Sequence, residues 1–191
     1  MSAPRAPRPI ILDRDGTIII DRGYLDNPDG LRFLPGAAEG LRLLHEAGHP
    51  LIVVSNQSGV GRGLVTLARL EKVNLRFTAM LEAAGAPLAG LYFCPHRPED
   101  SCDCRKPNTA LLRKAAAALG FEPARSIVIG DKSSDVELGA RVGATTILVS
   151  AGTLTSDGKP AQADYLARDL TEAARIIQRL DGAGAAAKHG S

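Results

Sequence analysis

The feature that most constrains this chain is a series of short aliphatic runs, each ending in polar residues and each followed by a stretch with helical spacing. Residues 9–12 (PIIL), 51–54 (LIVV), 88–93, 126–129 (SIVI) and 145–149 read as strands, with a sixth at 164–166. Helical periodicity marks 36–47, 66–84, 108–119, 134–142 and 169–180. Gly48 and Gly120 stand where helix stops are needed, and Asp169 and Glu172 are spaced as a capping box. Residues 18–35 read as a loop or irregular hairpin, with Gly23, Asn27, Pro28, Asp29 and Gly30 close together. Strands that are apolar at nearly every position must be covered on both faces. The fold class predicted is therefore α/β: a Rossmann-like, doubly wound parallel sheet with helices on both faces.

At 191 residues the chain is sized for one domain, given roughly 150 residues per domain. That domain is placed at 9–180. The ends, 1–8 and 181–191, lack a periodic apolar face and are expected to be flexible. Lys and Arg total 23 against 21 for Asp and Glu, with no basic run. This argues against a nucleic-acid binder or a protein held on anionic membranes. No apolar stretch reaches the roughly 18 residues of a membrane span, and the N-terminal segment is not followed by a signal-peptide core. A soluble, cytoplasmic protein is expected.

In a parallel sheet of this kind, ligands bind beyond the carboxyl ends of the strands. The first strand is followed by Asp13-Arg14-Asp15-Gly16-Thr17, and the second by Ser55-Asn56-Gln57-Ser58-Gly59. Arg105-Lys106-Pro107 comes after the third, and Gly130-Asp131-Lys132 after the fourth, with Asp135 four residues past Asp131. Carboxylates gathered at neighbouring strand ends repel one another unless a hard cation such as Mg²⁺ sits among them. A lysine and a hydroxyl nearby suit a phosphoryl group. An aspartate can attack phosphorus, and a second carboxylate two residues on can protonate the leaving alcohol and then activate water. Asp135 reads equally well as a helix cap, a brace for Lys106 or a metal contact.

The chain's three cysteines all lie within 94–104, as Cys94-x-His96, five residues, then Cys102-x-Cys104. A secreted disulfide framework would spread them out. Three thiolates and an imidazole fill a closed tetrahedral site of the structural Zn²⁺ type. His45, His49 and His189 have no such company and are expected to be ordinary surface groups.

Asp13-x-Asp15-Gly16-Thr17, Ser55, Lys106 and Gly130-Asp131-x-x-x-Asp135 resemble the four motifs of the haloacid dehalogenase-like phosphatase superfamily, over nearly all of residues 9–180. The resemblance implies Asp13 as nucleophile and Asp15 as general acid/base. It implies catalytic Mg²⁺ held by the Asp13 side chain, the Asp15 backbone carbonyl and the Asp131 side chain, with Ser55 and Lys106 on the phosphoryl group. Cys-Pro-His followed by Cys-Asp-Cys-Arg-Lys-Pro resembles the superfamily's zinc-loop branch, which holds heptose-bisphosphate phosphatases and histidinol-phosphate phosphatases. Within it, Asp21-Arg22-Gly23-Tyr24, the Ser55–Gly59 stretch and Arg105-Lys106-Pro107 look most like the heptose enzymes.

Only 39 residues separate Asp15 from Ser55, and most belong to a loop and a helix, so no cap domain is expected and the site should be open. The 18–33 loop, the glycine-rich 59–63 loop and the zinc loop would grip a small phosphorylated sugar. Candidate contacts are Asp21, Arg22, Gly23, Tyr24, Ser55, Asn56, Gln57, Ser58, Arg62, Arg105, Lys106 and Lys132. Arg62 and Arg105 are the candidates for a second phosphate, because guanidinium binds phosphate through paired hydrogen bonds. The expected activity is removal of the phosphate distal to the anomeric carbon of a heptose 1,7-bisphosphate, in the supply of nucleotide-activated heptose for lipopolysaccharide, by a protein that is a monomer. The alternatives are a histidinol-phosphate phosphatase and a zinc-stabilised phosphate-binding domain without turnover.

Overall fold

A computed structural model describes residues 7–150, 155, 157, 158 and 162–186. Six parallel strands form one sheet: β1 (Ile10–Leu12), β2 (Leu51–Asn56), β3 (Gly90–Cys94), β4 (Ile127–Gly130), β5 (Thr145–Val149) and β6 (Tyr165–Ala167). Their order is β3-β2-β1-β4-β5-β6. Four helices connect successive strands from β1 to β5, α1 (Ala37–Glu46), α2 (Leu67–Ala83), α3 (Ala110–Leu119) and α4 (Ser133–Val142), and α5 (Leu170–Ala186) follows β6. The predicted doubly wound α/β sheet is the one observed, and no further domain is inserted among the described residues.

The aliphatic strands are apolar throughout because both of their faces are covered. Ile10 and Leu12 point to one side, where Leu41 and Leu44 of α1, Phe77 of α2 and Ile177 of α5 pack against them. Ile11 between them points to the other side, against a cluster containing Leu112 of α3 and Leu138 of α4. Each such fully buried side chain contributes about 1.5–3 kcal/mol relative to exposure. β3 lies at the edge of the sheet, and four of its five residues are only half-buried.

Local signals set most boundaries. Thr66 accepts a hydrogen bond from the Arg69 amide and starts α2, and Gly120 ends α3 in the left-handed conformation. At α5 the Glu172 amide donates to Asp169 Oδ1, as the sequence spacing predicts. The return bond differs, since the Glu172 carboxylate accepts from the Arg168 amide instead of that of Asp169. Residues 18–34 form the irregular hairpin, with Ile20 N–H donating to Arg32 C=O and Leu34 N–H to Ile18 C=O.

Two expectations are corrected at the other end of the sheet. α5 continues to Ala186, past the predicted end at 180. His49 is buried: the Arg8 amide donates to its Nδ1, and its Nε2 lies 3.2 Å from Asp181. Arg8 also pairs with Asp181, at 2.9 Å, so Arg8 and Asp181, both placed in the flexible ends, are tied to each other and to the domain. These partners are more than forty residues apart in sequence, so no local pattern announces them. His45 is exposed as expected, while His189, 1–6 and 187–191 lie outside the described residues.

Candidate active site

The strand order reverses between β1 and β4, because the chain winds outward through β2 and β3 and then crosses back to β4. The crevice at such a switch point is where ligands sit in sheets of this type. Asp13 follows β1 and Asp131 follows β4, so sheet register alone brings these two carboxylates to the crevice. Gly16 makes the approach possible. Its φ of +89° is open to glycine, and a Cβ there would fall 2.3 Å from Asp131 Oδ2. Thr17 donates its hydroxyl to Asp131 Oδ1 at 2.9 Å.

Lys106 ties the cluster together. Its ammonium donates to Asp13 Oδ1 at 2.8 Å and lies 2.7 Å from Asp135 Oδ1. The residue itself is buried. Burial disfavours the charge, but Asp13 and Asp135 outweigh it and hold the ammonium above its ordinary value. The backbone of Lys106 is clamped by Asn56 at the end of β2: Lys106 N–H donates to Asn56 Oδ1 at 2.9 Å, and Asn56 Nδ2 donates back to Lys106 C=O at 3.2 Å. Of the readings open for Asp135, the geometry favours two together. One oxygen braces Lys106 and the other accepts from the Lys132 amide, capping α4. Burial, with Asp13 and Asp131 nearby, pushes Asp135 up to about 6 despite Lys106.

Asp15 points elsewhere. Its carboxylate accepts from Arg14 and, at 2.7 Å, from Gln57 Nε2, which also donates to Ser55 Oγ. The Asp15 carbonyl faces Lys132 Nζ at 3.5 Å. Lys132 also reaches Asp21 at 3.1 Å. Burial lowers Lys132, but Asp13, Asp131 and Asp21 together raise it above its ordinary value. Burial would lift Asp21, yet the Gly23 amide and Lys132 hold it below the usual carboxylate range.

These groups open onto a cleft of about 540 Å³. Asp15, Asp21, Gly23, Tyr24, Asn56, Gln57, Ser58, Arg105, Lys106 and Lys132 line it, while Asp13, Ser55 and Asp131 lie buried at the strand ends behind it. Gly59 lets the hairpin loop close on the cleft, since a Cβ there would meet the Tyr24 ring at 2.8 Å. Two candidates stand apart. Arg62 faces Glu99 at 3.4 Å, and neither it nor Arg22 lines the cleft. Ser133, Ser134, Glu137 and Asp157 line it as well, outside the motifs that the sequence marks. Asp157 follows β5, so the rule that located the other groups reaches it too; Ser133 Oγ donates to it at 2.6 Å. A larger hollow of about 860 Å³ opens at the opposite end of the sheet, around Pro9, Pro50 and Pro123, far from the carboxylates.

Asp13, Asp131 and Asp135 place one oxygen each within 4.8 Å of one another. Among the described residues these three buried acids face one buried ammonium, that of Lys106; with Asp135 engaged as brace and cap, Asp13 and Asp131 are the donors suited to a hard divalent cation. A second cluster lies beside β3. Cys94, His96, Cys102 and Cys104 also converge within 4.8 Å. Their sulfurs are 3.0–3.5 Å apart, far longer than the roughly 2.05 Å of a disulfide. His96 Nδ1 lies 3.1 Å from Cys104 Sγ. Those spacings approach the edges, roughly 3.7 Å, of a tetrahedron with metal–sulfur bonds of about 2.3 Å. Burial opposes ionisation of Cys102, but the Cys104 and Cys94 thiols hold it down at about 7. The cluster joins the Lys106 side of the cleft directly: Asn56 pairs with Cys94 across β2 and β3, and Arg105 Nη1 donates to His96 C=O at 3.4 Å.

Comparison with known proteins follows this geometry. Residues 103–173 match the Hydrolase_like family model, described as HAD-hyrolase-like. The chain is 35% identical over 179 residues to a D-glycero-beta-D-manno-heptose-1,7-bisphosphate 7-phosphatase of Haemophilus influenzae, covering 90% of this chain and 97% of that protein. It is 36% identical over 179 residues to the protein of the same name from Escherichia coli K12, covering 89% and 93%. Among solved structures it is similar to the D,D-heptose 1,7-bisphosphate phosphatase of B. bronchiseptica in complex with magnesium and phosphate. That match has a TM-score of 0.81 and 30% identity, and covers 90% of this chain and 98% of the other.

Proposed function

The chain belongs to the D-glycero-beta-D-manno-heptose-1,7-bisphosphate 7-phosphatase family of haloacid dehalogenase-like hydrolases, and from that premise we propose that it removes the 7-phosphate of this heptose bisphosphate, in the supply of nucleotide-activated heptose for lipopolysaccharide. The observation that carries the reading is the Lys106 ammonium, fixed between Asp13 and Asp135 at the strand crevice.

The chemistry runs in two displacements. An Asp13 carboxylate oxygen attacks the phosphorus of the 7-phosphate, forming an aspartyl-phosphate as the bond to the sugar O7 breaks. Asp15 gives its proton to that leaving oxygen. Asp15 then takes a proton from water, which attacks the same phosphorus, frees inorganic phosphate and restores Asp13. Lys106 and Ser55 hold phosphoryl oxygens, and the Asn56 clamp fixes where Lys106 stands. The Asp13 and Asp131 side chains and the Asp15 carbonyl would hold Mg²⁺, which when bound offsets the negative charge that substrate and carboxylates bring together.

Zn²⁺ is the cation assigned to Cys94, His96, Cys102 and Cys104. With all four protein ligands supplied, the site has no open position for water and serves structure. It would fix the loop that presents Arg105, the cleft-lining guanidinium assigned to the 1-phosphate. Asp21, Gly23, Tyr24 and Lys132 are assigned to the sugar side of the cleft. All of these groups come from one chain, so the reading expects a monomer. No helix of the described residues is long and apolar enough to cross a membrane, and the expected compartment is the cytoplasm.

The test is phosphate release by the purified protein from the β-anomer of the heptose bisphosphate, from its α-anomer and from histidinol phosphate, each with and without Mg²⁺. Mg²⁺-dependent turnover highest on the β-anomer is expected. Preference for histidinol phosphate would replace the substrate assignment, and inertness toward all three would overturn the reading.

A further inference from the structure

Arg14, between the two motif aspartates, has the largest side chain among the most deeply buried, at 1% exposure. Its guanidinium forks onto the Asp15 carboxylate: Nε donates to Oδ2 at 2.9 Å, and Nη2 donates to Oδ1 at 3.2 Å while lying 2.9 Å from Oδ2. The remaining nitrogen, Nη1, donates to Asn74 Oδ1 at 2.8 Å. Asn74 sits in the middle of α2 and flanks a shallow hollow with Leu75 and Thr78, and it does not line the cleft. The substrate side therefore connects to the outside of a helix through one buried cation.

Charge balance alone does not account for this arrangement. Burying a guanidinium is expensive, and an apolar side chain would fill the space at lower cost. Asn74 carries no charge, so it adds nothing to neutralising Asp15. What it supplies is an acceptor at the far corner of a planar group. The guanidinium then fixes the plane of the Asp15 carboxylate, and Gln57 adds a further donor to its Oδ2. Aim of this kind matters for a group that must meet a leaving oxygen within hydrogen-bond reach.

We propose that Arg14 and Asn74 are positioning residues, with Asn74 orienting the Arg14 guanidinium and Arg14 aiming the Asp15 carboxylate at the leaving oxygen. The inference rests on the reading of Asp15 as the proton donor. Arg14 keeps its protons throughout; the proton that moves is the one Asp15 gives to the sugar oxygen.

Two substrates separate positioning from general structural damage. When phosphorus passes to Asp13, the heptose bisphosphate expels a sugar alkoxide that needs a proton, whereas p-nitrophenyl phosphate expels a stabilised phenolate that needs little help. The readout is kcat/KM, which reports the steps up to phosphoryl transfer. Asn74→Ala, remote from the cleft, is expected to lose about 10-fold on the bisphosphate and under about twofold on p-nitrophenyl phosphate, a fraction of the roughly 10²–10⁴ that general acid catalysis supplies. Asn74→Asp, which keeps the acceptor, should recover the bisphosphate rate to within about threefold of the parent, and Arg14→Lys, which loses the fork, should lose about 10²-fold with the same substrate asymmetry. Equal losses of Asn74→Ala on both substrates, no loss on either, or an Asn74→Asp as impaired as Asn74→Ala would overturn the proposal. Asp15→Asn is the reference. If it shows no asymmetry, the assignment of Asp15 as acid fails; if it does and Asn74→Ala does not, only the positioning relay fails.

Discussion

The two clusters of ligand-type side chains are built on opposite terms. The carboxylates stand at the ends of buried parallel strands, and their placement follows from sheet register, the close approach at Gly16 and the Asn56 clamp. In the second cluster only Cys94 stands at a strand end; His96, Cys102 and Cys104 come from the loop after β3, and most of the contacts that hold Cys102 and Cys104 are to one another and to Cys94 and His96. One cluster is positioned by the sheet; the other is held largely by its own members, and a bound cation would be its main brace. Losing metal from the first should therefore silence chemistry and spare the fold, and losing it from the second should loosen the fold and weaken grip on the substrate.

The largest expected effect breaks chemistry alone. Asp13→Asn should lower turnover by at least about 10³-fold, as loss of a covalent nucleophile does. Its melting temperature should stay within a few degrees of the parent by calorimetry. Residual turnover near the parent level would remove Asp13 from its role and leave a binding domain as the better account. Next comes Cys104→Ser. It should bind less than one zinc per chain by metal analysis, melt about 5 °C lower and raise KM for the bisphosphate about 10-fold with a smaller change in kcat. A variant with unchanged melting and KM would erase the contrast between the two clusters.

A smaller effect comes from Asp135. Its value of about 6 in the folded chain lies above its ordinary 3.8. A carboxyl raised on folding holds its proton more tightly in the native state, so its contribution to stability is complete at low pH and is lost as the pH rises through about 6. Without metal, this group should make the protein less stable at pH 7 than at pH 5. Mg²⁺ among the neighbouring carboxylates offsets that crowding, so its addition should raise the melting temperature more at pH 7 than at pH 5. A rise independent of pH would separate Asp135 from the cation site. The smallest effect belongs to Arg62→Ala, expected within about twofold of the parent in both KM and kcat, since its partner Glu99 is exposed and exposed pairs contribute little. A selective rise in KM for the bisphosphate would return Arg62 to the substrate.

How much of this was legible in the sequence depended on whether the signal was local. β1 and β4 read clearly because their positions are apolar or glycine, and β5 because its β-branched threonines run into Ile147, Leu148 and Val149; the groups after β1 and β4 follow from the rule about strand ends. β3 was placed two residues early, because an edge strand is half-covered and its pattern is weak. The acids, Lys106 and the cysteines were visible as spaced motifs. The Asn56 clamp, the Arg14 fork onto Asp15 and its tether to Asn74, and the turn of Arg62 toward Glu99 were not, since each depends on where a side chain points after distant segments have packed. His49 was misjudged for the same reason: its partners Arg8 and Asp181 lie far off in the chain.

That last trio has a practical reach. Arg8 and Asp181 meet at the amino end of the sheet, on the side away from the cleft, so the segment entering β1 and the body of α5 are pinned together remote from the chemistry. A linker joining these two segments for circular permutation would lie at the end of the sheet opposite the cleft. Trimming the chain back to residue 180 would instead remove the carboxylate that both Arg8 and His49 engage, leaving a buried cation without its counter-ion.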